Sequence, residues 1–531
     1  MRRIFRSFGR FLKESGAQVT GQGKRFEKSV RNGAAAFGGQ FINLFFGFAV
    51  RTVFIRLLGK EYLGVNGVME SMLMLLSMTE LGVGTSVAFA LYEPVNNGDE
   101  RKIGRLMAFY RRTYHALGFL TLVAGLALVP FMRFFTREAE QVPHMNVIYL
   151  LFLAGTVLSY FFAYKRTLLS AYQDNHINTL CEDGFTLLKY LLQTVVLVVF
   201  RSYIGFLAIH LVCIVAANAV ISVLCDRKYG FIKAYRAEKL EPGERALLKK
   251  SVVSLMYQKI CAKLVTGTDN LMISYAGIAL MGVYSNYAMV ISTITRITYN
   301  VSQALLGSVG NLMVQKDDGH KYRVFEELVF TEFCFYFFAS AGLSAVLERF
   351  IGLWAGEGWL LAPLVTFAVI LNFFLTGMRQ PNILVIEAAG LFNRLRAKAV
   401  LEVVVNFVVS LVFLLGLRLG IYGVLFGTTV SMVSVCIWWE SLAVHKYAFH
   451  TGVGRYAAAY AGYVLVAAVG CFASYFAAKS IPVGGVGGLL LAGLAAVVIA
   501  GLLLCLVYGR SRLMKAVLNR IKFRKKESLP R

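Results

Sequence analysis

Leu58-Gly-Lys-Glu-Tyr-Leu-Gly-Val65 returns 218 residues later as Ala276-Gly-Ile-Ala-Leu-Met-Gly-Val283. The echo extends on both sides. Lys28-Ser29-Val30 precedes one copy and Lys250-Ser251-Val252 the other, and the polar turns Asn96-Asn97-Gly98-Asp99 and Asp317-Asp318-Gly319-His320 follow at a similar offset. Each copy opens a succession of apolar segments, so the chain reads as two related halves. Both halves start on the same side of a membrane, which makes this a parallel repeat about an axis along the membrane normal.

Composition demands the membrane. Of 531 residues, 57% are hydrophobic and 16% charged, with a mean hydropathy of +0.63. Soluble domains carry about 25% charged residues, so soluble enzymes, collagens and disordered chains are excluded. The formal net charge of +26 would suggest nucleic acid in a soluble protein. In a membrane protein it marks cytoplasmic loops, which collect Lys and Arg, and no nucleic-acid partner is expected. The eight cysteines stand singly in apolar stretches with no metal or redox spacing, so neither a metal nor any other cofactor is expected.

A helix crossing the hydrocarbon needs about 20 mostly apolar residues. Fourteen segments qualify, near 33–57, 64–91, 108–132, 146–169, 182–200, 203–225, 252–276, 282–312, 325–347, 361–386, 399–417, 420–444, 456–478 and 486–508. With alternate connections assigned inward from the N-terminus, 44 of the 55 Lys and Arg fall on one face and 9 on the other, leaving Lys189 and Arg296 at depth. The bias places both termini in the cytoplasm. The expected organisation is a basic amphipathic segment at 1–30, a six-helix lobe at 31–225, a basic linker at 226–250, a second six-helix lobe at 251–444, helices 13 and 14 within 455–508, and a basic tail at 509–531. At the N-terminus Ile4, Phe5, Phe8, Phe11 and Leu12 share one helical face opposite Arg2, Arg6, Arg10 and Lys13. Such a helix lies in the interface and favours anionic lipid.

Three stretches resemble a known family: Arg51-Thr-Val-Phe-Ile-Arg-Leu-Leu-Gly-Lys-Glu-Tyr-Leu-Gly-Val-Asn-Gly67, Leu76-Ser-Met-Thr-Glu-Leu-Gly-Val-Gly-Thr-Ser86 and Leu91-Tyr-Glu-Pro94. They look like the bacterial polysaccharide flippases, the polysaccharide-transporter branch of the multidrug/oligosaccharidyl-lipid/polysaccharide (MOP) superfamily. The resemblance implies two six-helix lobes forming a V around a cavity that opens alternately to either side, in the cytoplasmic membrane of a bacterium. It implies cargo as well: an oligosaccharide on a polyprenyl diphosphate, moved from the inner to the outer leaflet, with polysaccharide-assembly proteins as partners. The helix pair 13–14 is additional to the twelve spans many members have.

Ionisable groups at membrane depth cost at least about 2.5–3.5 kcal/mol each on the insertion scale and default to functional roles. Span 7 carries Lys259, Lys263, Thr266, Asn270 and Ser274 on one stripe with Asp269 at its edge; span 8 carries Ser285, Ser292, Arg296, Asn300 and Gln303. Span 2 presents Asn66, Glu70, Ser77 and Glu80, and span 1 presents Gln40, Gly47 and Arg51. The expected cargo-binding set is Arg51, Glu80, Lys259, Lys263, Asp269, Asn270, Arg296 and Asn300. Arg and Lys replace the water around a diphosphate. Duller readings compete: Arg51, Lys259 and Lys263 snorkel to the interface, and Arg296 is a structural partner of Glu80 or Asp269. Glu332, Glu387, Glu402 and Glu440 fall near span ends and read as solvated; Lys189, His115 and His210 read as packing residues.

Three functions compete for this sequence. A lipid-linked-oligosaccharide flippase leads. A multidrug or cation antiporter would want an acidic pocket, yet span 1 has no acid between Glu27 and Glu61. A membrane glycosyltransferase or polymerase would need an outer catalytic domain, and the longest outer loop expected is only 348–360, so an enzyme is not expected.

Overall fold

The computed structural model describes residues 39–40, 43–80, 83–132, 142–235, 238–313, 317–517 and 519. The amphipathic segment at 1–30 and the end of the basic tail lie outside the described residues. Among those described, every regular element is helical, and eleven helices are long and apolar enough to cross a membrane. The protein is an all-α polytopic membrane protein.

The three other expected spans are helical too. Helix α1 is described over 43–57. The second span is broken: α2 (Lys60–Leu76) tightens into a 3₁₀ turn at Ser77–Glu80 and resumes as α3 (Val83–Asn97). The seventh is the end of α8 (Pro242–Ala276), where Lys259, Lys263 and Asp269, rather than any shortage of length, lower the hydropathy. Between them run α4 (Glu100–Leu128), α5 (Met145–Ala171), α6 (Asn175–Phe200) and α7 (Tyr203–Lys228). The second half continues with α9 (Ile278–Met313), α10 (Asp318–Ala355), α11 (Pro363–Met378), α12 (Gln380–Ala388), α13 (Arg396–Leu411), α14 (Ile421–Ser431) and α15 (Ile437–Val444). Helices α16 (Gly454–Lys479) and α17 (Gly485–Tyr508) close the chain.

Packing groups the chain into two compact units. Unit 1 comprises Met1–Val53, Thr79–Ala127 and Val147–Met256; unit 2 comprises Phe54–Met78, Leu128–Asn146 and Tyr257–Arg531. Unit 1 is centred on tyrosines of α4 and α5, with Tyr110, Tyr114, Tyr160 and Tyr164 meeting edge to face. The α6–α7 hairpin is as short as the sequence suggests. Arg201 takes the left-handed conformation (φ 47°), and Ser202 caps α7 by accepting from the Gly205 N–H at 3.1 Å. The basic linker docks on this unit through its acids: Arg101 pairs with Glu238 at 3.1 Å and Arg105 with Glu241 at 3.0 Å, while Leu240 and Leu248 enter the core. Tyr229 donates to Asp174 at 2.6 Å, and burial together with that bond pushes its phenol above the ordinary range.

In unit 2, α2 and α9 begin at the two repeat-related sites and cross there. A Cβ built on Gly64 would lie 1.9 Å from the Ile278 carbonyl oxygen, and one on Gly282 would lie 2.2 Å from that of Lys60. Lys60 and Ile278, like Gly64 and Gly282, are 218 residues apart. The contact is therefore symmetric under the repeat, and only glycine permits it from either side. Helix α10 forms the core of this unit, with Phe325, Phe330, Phe333, Tyr336 and Phe337 almost wholly buried. The additional pair α16–α17 lies along α10. Small residues allow the approach: Ala492, Ala496 and Ala500 have no exposed surface, and Gly470 faces the Phe337 ring. Arg349 of α10 fastens the turn between α16 and α17, donating to the carbonyls of Ala478 (2.5 Å), Ile481 (2.9 Å) and Val483 (3.1 Å).

Candidate functional site

Unit 2 holds a cavity of about 820 Å³ walled by α8, α9 and α11–α15. Its charged lining consists of three cations (Arg296, Arg379 and Lys398) and four carboxylates (Asp269, Glu387, Glu402 and Glu440). Four of these seven form a closed network. Arg379, at the α11–α12 junction, clasps Glu440 with Nε and Nη2 at 3.0 and 2.6 Å and reaches Glu402 at 3.6 Å. Lys398 bridges Glu402 at 2.7 Å and Glu440 at 2.8 Å. Each carboxylate meets both cations, so the quartet is self-neutral. Such matching is what offsets the desolvation of buried ions.

This corrects the reading of Glu402 and Glu440 as solvated span ends. Glu440 is 3% exposed and Lys398 7%. Glu332 is likewise buried and accepts from Ser302 at 2.7 Å. A signal for the quartet was present: Lys398, Glu402, Asn406 and Ser410 recur every fourth residue and form one polar stripe on α13. Their partners Arg379 and Glu440 lie on other helices, and no spacing reveals that.

Asp269 stands apart from the quartet. Its Oδ2 accepts from the Thr428 hydroxyl at 2.7 Å, and Thr428 in turn accepts from Asn406 at 3.2 Å. Among the described residues, no donor meets hydrogen-bond geometry at the buried Asp269 Oδ1 or Asn406 Oδ1. Arg296 on α9 is exposed on the cavity wall, and its guanidinium has no ion pair or hydrogen bond among the described residues. The pairing of Arg296 with Asp269 weighed above is not formed. Among the described residues, no three His, Cys, Asp or Glu side chains converge as metal ligands.

Of the expected set, this cavity brings together Asp269, Asn270 and Arg296. Lys263 is exposed on α8 away from it, and Asn300, one turn beyond Arg296, is also exposed and off the lining. Arg51 belongs to α1 in unit 1, partly buried and already engaged. The side chains of Glu80 and Lys259 lie outside the described residues.

Unit 1 holds a second cavity, of about 700 Å³, walled by α1 and α3–α7. Arg166, Lys189, Glu182 and Asp183 line it, joined by the amides of Asn43 and Asn218 and the hydroxyls of Tyr110 and Tyr114. Arg166 pairs with Glu182 and donates to Asn218 Oδ1 at 2.6 Å. Lys189, read above as a packing residue, is part of this wall.

The broken second span, the duplicated glycine crossing and the two cavities lie within a polytopic helical architecture. The fold is similar to those of solved members of the MOP superfamily. A lipid II flippase, MurJ, in an inward closed conformation aligns over 90% of this chain and 99% of its own, with 13% identity and a TM-score of 0.63. An inward-facing multidrug-resistance MATE transporter aligns over 76% of this chain and 94% of its own, with 12% identity and a TM-score of 0.58. A MOP transporter from Pyrococcus furiosus, described as having a binding pocket of reversed polarity, covers 79% of this chain and 96% of its own at 12% identity and a TM-score of 0.52. No family model and no curated protein sequence matches the chain.

Proposed function

We propose that the protein is a flippase for lipid-linked oligosaccharide. It moves a polyprenyl-diphosphate-linked glycan from the inner to the outer leaflet by alternating access, for cell-surface polysaccharide or peptidoglycan-related synthesis in a bacterial cytoplasmic membrane. The observation that carries this reading is Arg296, a guanidinium on a cavity wall with no ion pair or hydrogen bond among the described residues. A diphosphate leaving water needs donors in exchange, and the guanidinium fork supplies them in bidentate geometry. Arg379 and Lys398 are already committed to Glu402 and Glu440, so Arg296 is the lining cation available to cargo. Asn270 on the same lining offers a neutral amide donor. The fold neighbours are transporters and a flippase rather than enzymes, and the lipid II flippase among them supports lipid-borne cargo.

One observation favours a second reading, a multidrug or cation antiporter. The lining has one more carboxylate than cation, and Asp269 Oδ1 has no donor in hydrogen-bond geometry among the described residues. Proteoliposomes separate the two. The flippase reading expects translocation of undecaprenyl-diphosphate-linked oligosaccharide between leaflets, and loss of it in Arg296→Gln with partial retention in Arg296→Lys, which keeps charge but not the fork. Ion-driven efflux of a lipophilic cation that depends on Asp269 and ignores Arg296 would establish the antiporter instead.

A further inference from the structure

The unit 1 cavity has a lining that suits neither a cation nor an anion. Arg166 and Lys189 balance Glu182 and Asp183, so an ion of either sign entering it meets two like charges within a partly enclosed cavity, where they are less screened than in open water. A polyhydroxylated, uncharged ligand meets no such opposition, because each hydroxyl both donates and accepts. It can give a proton to a carboxylate while taking one from an ammonium or a phenol.

The wall is hollowed where those groups converge. A Cβ on Gly39 would fall 1.9 Å from Asp183 Oδ2, so only glycine leaves that carboxylate its place. A Cβ on Gly84 would fall 2.9 Å from the Tyr110 hydroxyl and 3.4 Å from that of Tyr114. The two tyrosine rings meet at 4.5 Å and 76° and are almost wholly buried, so what they give this wall is their hydroxyls. Glu182 is neutralised by Arg166. Asp183, partly buried, has no hydrogen-bond or ion-pair partner among the described residues. A carboxylate held out of bulk water without donors is costly, and adjacent sugar hydroxyls supply two donors at the right spacing for its two oxygens.

We propose that this cavity is a carbohydrate subsite, binding an uncharged sugar of the cargo through Asp183, Asn218 and the Tyr110–Tyr114 pair. The inference rests on the flippase reading and adds to it a second place where cargo is read, by its sugar rather than by its phosphate.

The test uses the full chain in proteoliposomes with two probes, undecaprenyl diphosphate and the same lipid bearing a neutral disaccharide. Asp183→Asn and Gly84→Val, the second of which fills the hollow without touching a charge, are compared with the native protein. The expected result is that the rate for the disaccharide probe relative to the bare probe falls about tenfold in Asp183→Asn, the size of losing a hydrogen bond to a charged group. Gly84→Val shifts the ratio the same way. Excess free disaccharide slows the native protein on the glycosylated probe and does not slow Asp183→Asn. If the native protein moves both probes and the variants change both rates in equal proportion, the subsite is wrong and the flippase reading stands. If the native protein moves neither probe, the flippase reading falls and this inference falls with it. Tight, Asp183-dependent binding of tetraphenylphosphonium would overturn the subsite in favour of a cation site.

Discussion

In the cavity of unit 2 the buried ions are turned against one another, Arg379 and Lys398 each holding both Glu402 and Glu440. In the cavity of unit 1 one ion pair, Arg166 with Glu182, is set beside Asp183, a carboxylate with no partner among the described residues. Arg296 is the counterpart of Asp183 in the unit 2 lining, a charge with no ion pair or hydrogen bond among the described residues. The difference separates two uses of charge inside a membrane protein. Matched ions fix helices in place, and unmatched ions are available to something that arrives. Burial alone does not tell the two apart; the partner count does.

The sharpest way to break this comparison is to unmatch the matched set. Glu440→Gln leaves two buried cations sharing one carboxylate. Removing one partner of a buried pair costs about 3–5 kcal/mol, so a large drop in melting temperature and poor accumulation in the membrane are expected. A variant that melts like the native protein would mean that the quartet does not hold α11, α12, α13 and α15 together.

A smaller effect is expected at the glycine crossing of α2 and α9. Gly64→Ala and Gly282→Ala each place a methyl group against a carbonyl oxygen, and overpacking of this kind costs about 1–3 kcal/mol. The two sites share one contact, so the double variant should cost less than the sum of the singles. Full additivity in thermal denaturation would contradict a single repeat-symmetric crossing. Arg349→Ala should cost about the same or less, since it removes three bonds to the turn joining α16 and α17 while leaving the small-residue packing on α10 intact. Its effect should be local, seen as faster hydrogen exchange around residues 478–485 with little change elsewhere.

What the sequence made legible follows the same division. Fourteen apolar stretches, the repeat and the short hairpins could be read because each is a local pattern of hydropathy or turn residues. Asp269 and Arg296 were visible as polar interruptions of apolar spans, and both line the unit 2 cavity. Lys263 and Asn300 share stripes with them but project beyond the lining, because a stripe is longer than the part of it that any cavity covers. The quartet was misread because Glu402 and Glu440 sit near span ends, where solvent is the ordinary partner. Only the tertiary packing of α11–α15 brings Arg379 and Lys398 to them. The unit 1 cavity stayed hidden for a related reason: Glu182, Asp183 and Lys189 look scattered along α6 until α1, α5 and α7 close around them.

The smallest expected effect on stability belongs to the residue with the largest expected effect on transport. Arg296 has no partner to lose among the described residues, so Arg296→Gln should alter the melting temperature by no more than an ordinary surface change, within about 0.5 kcal/mol. Translocation of undecaprenyl-diphosphate-linked oligosaccharide, measured on that same preparation, should fall at least about tenfold, the loss of a charge-assisted hydrogen bond to the diphosphate. Native transport by Arg296→Gln, or a loss of stability as large as that of Glu440→Gln, would contradict the account.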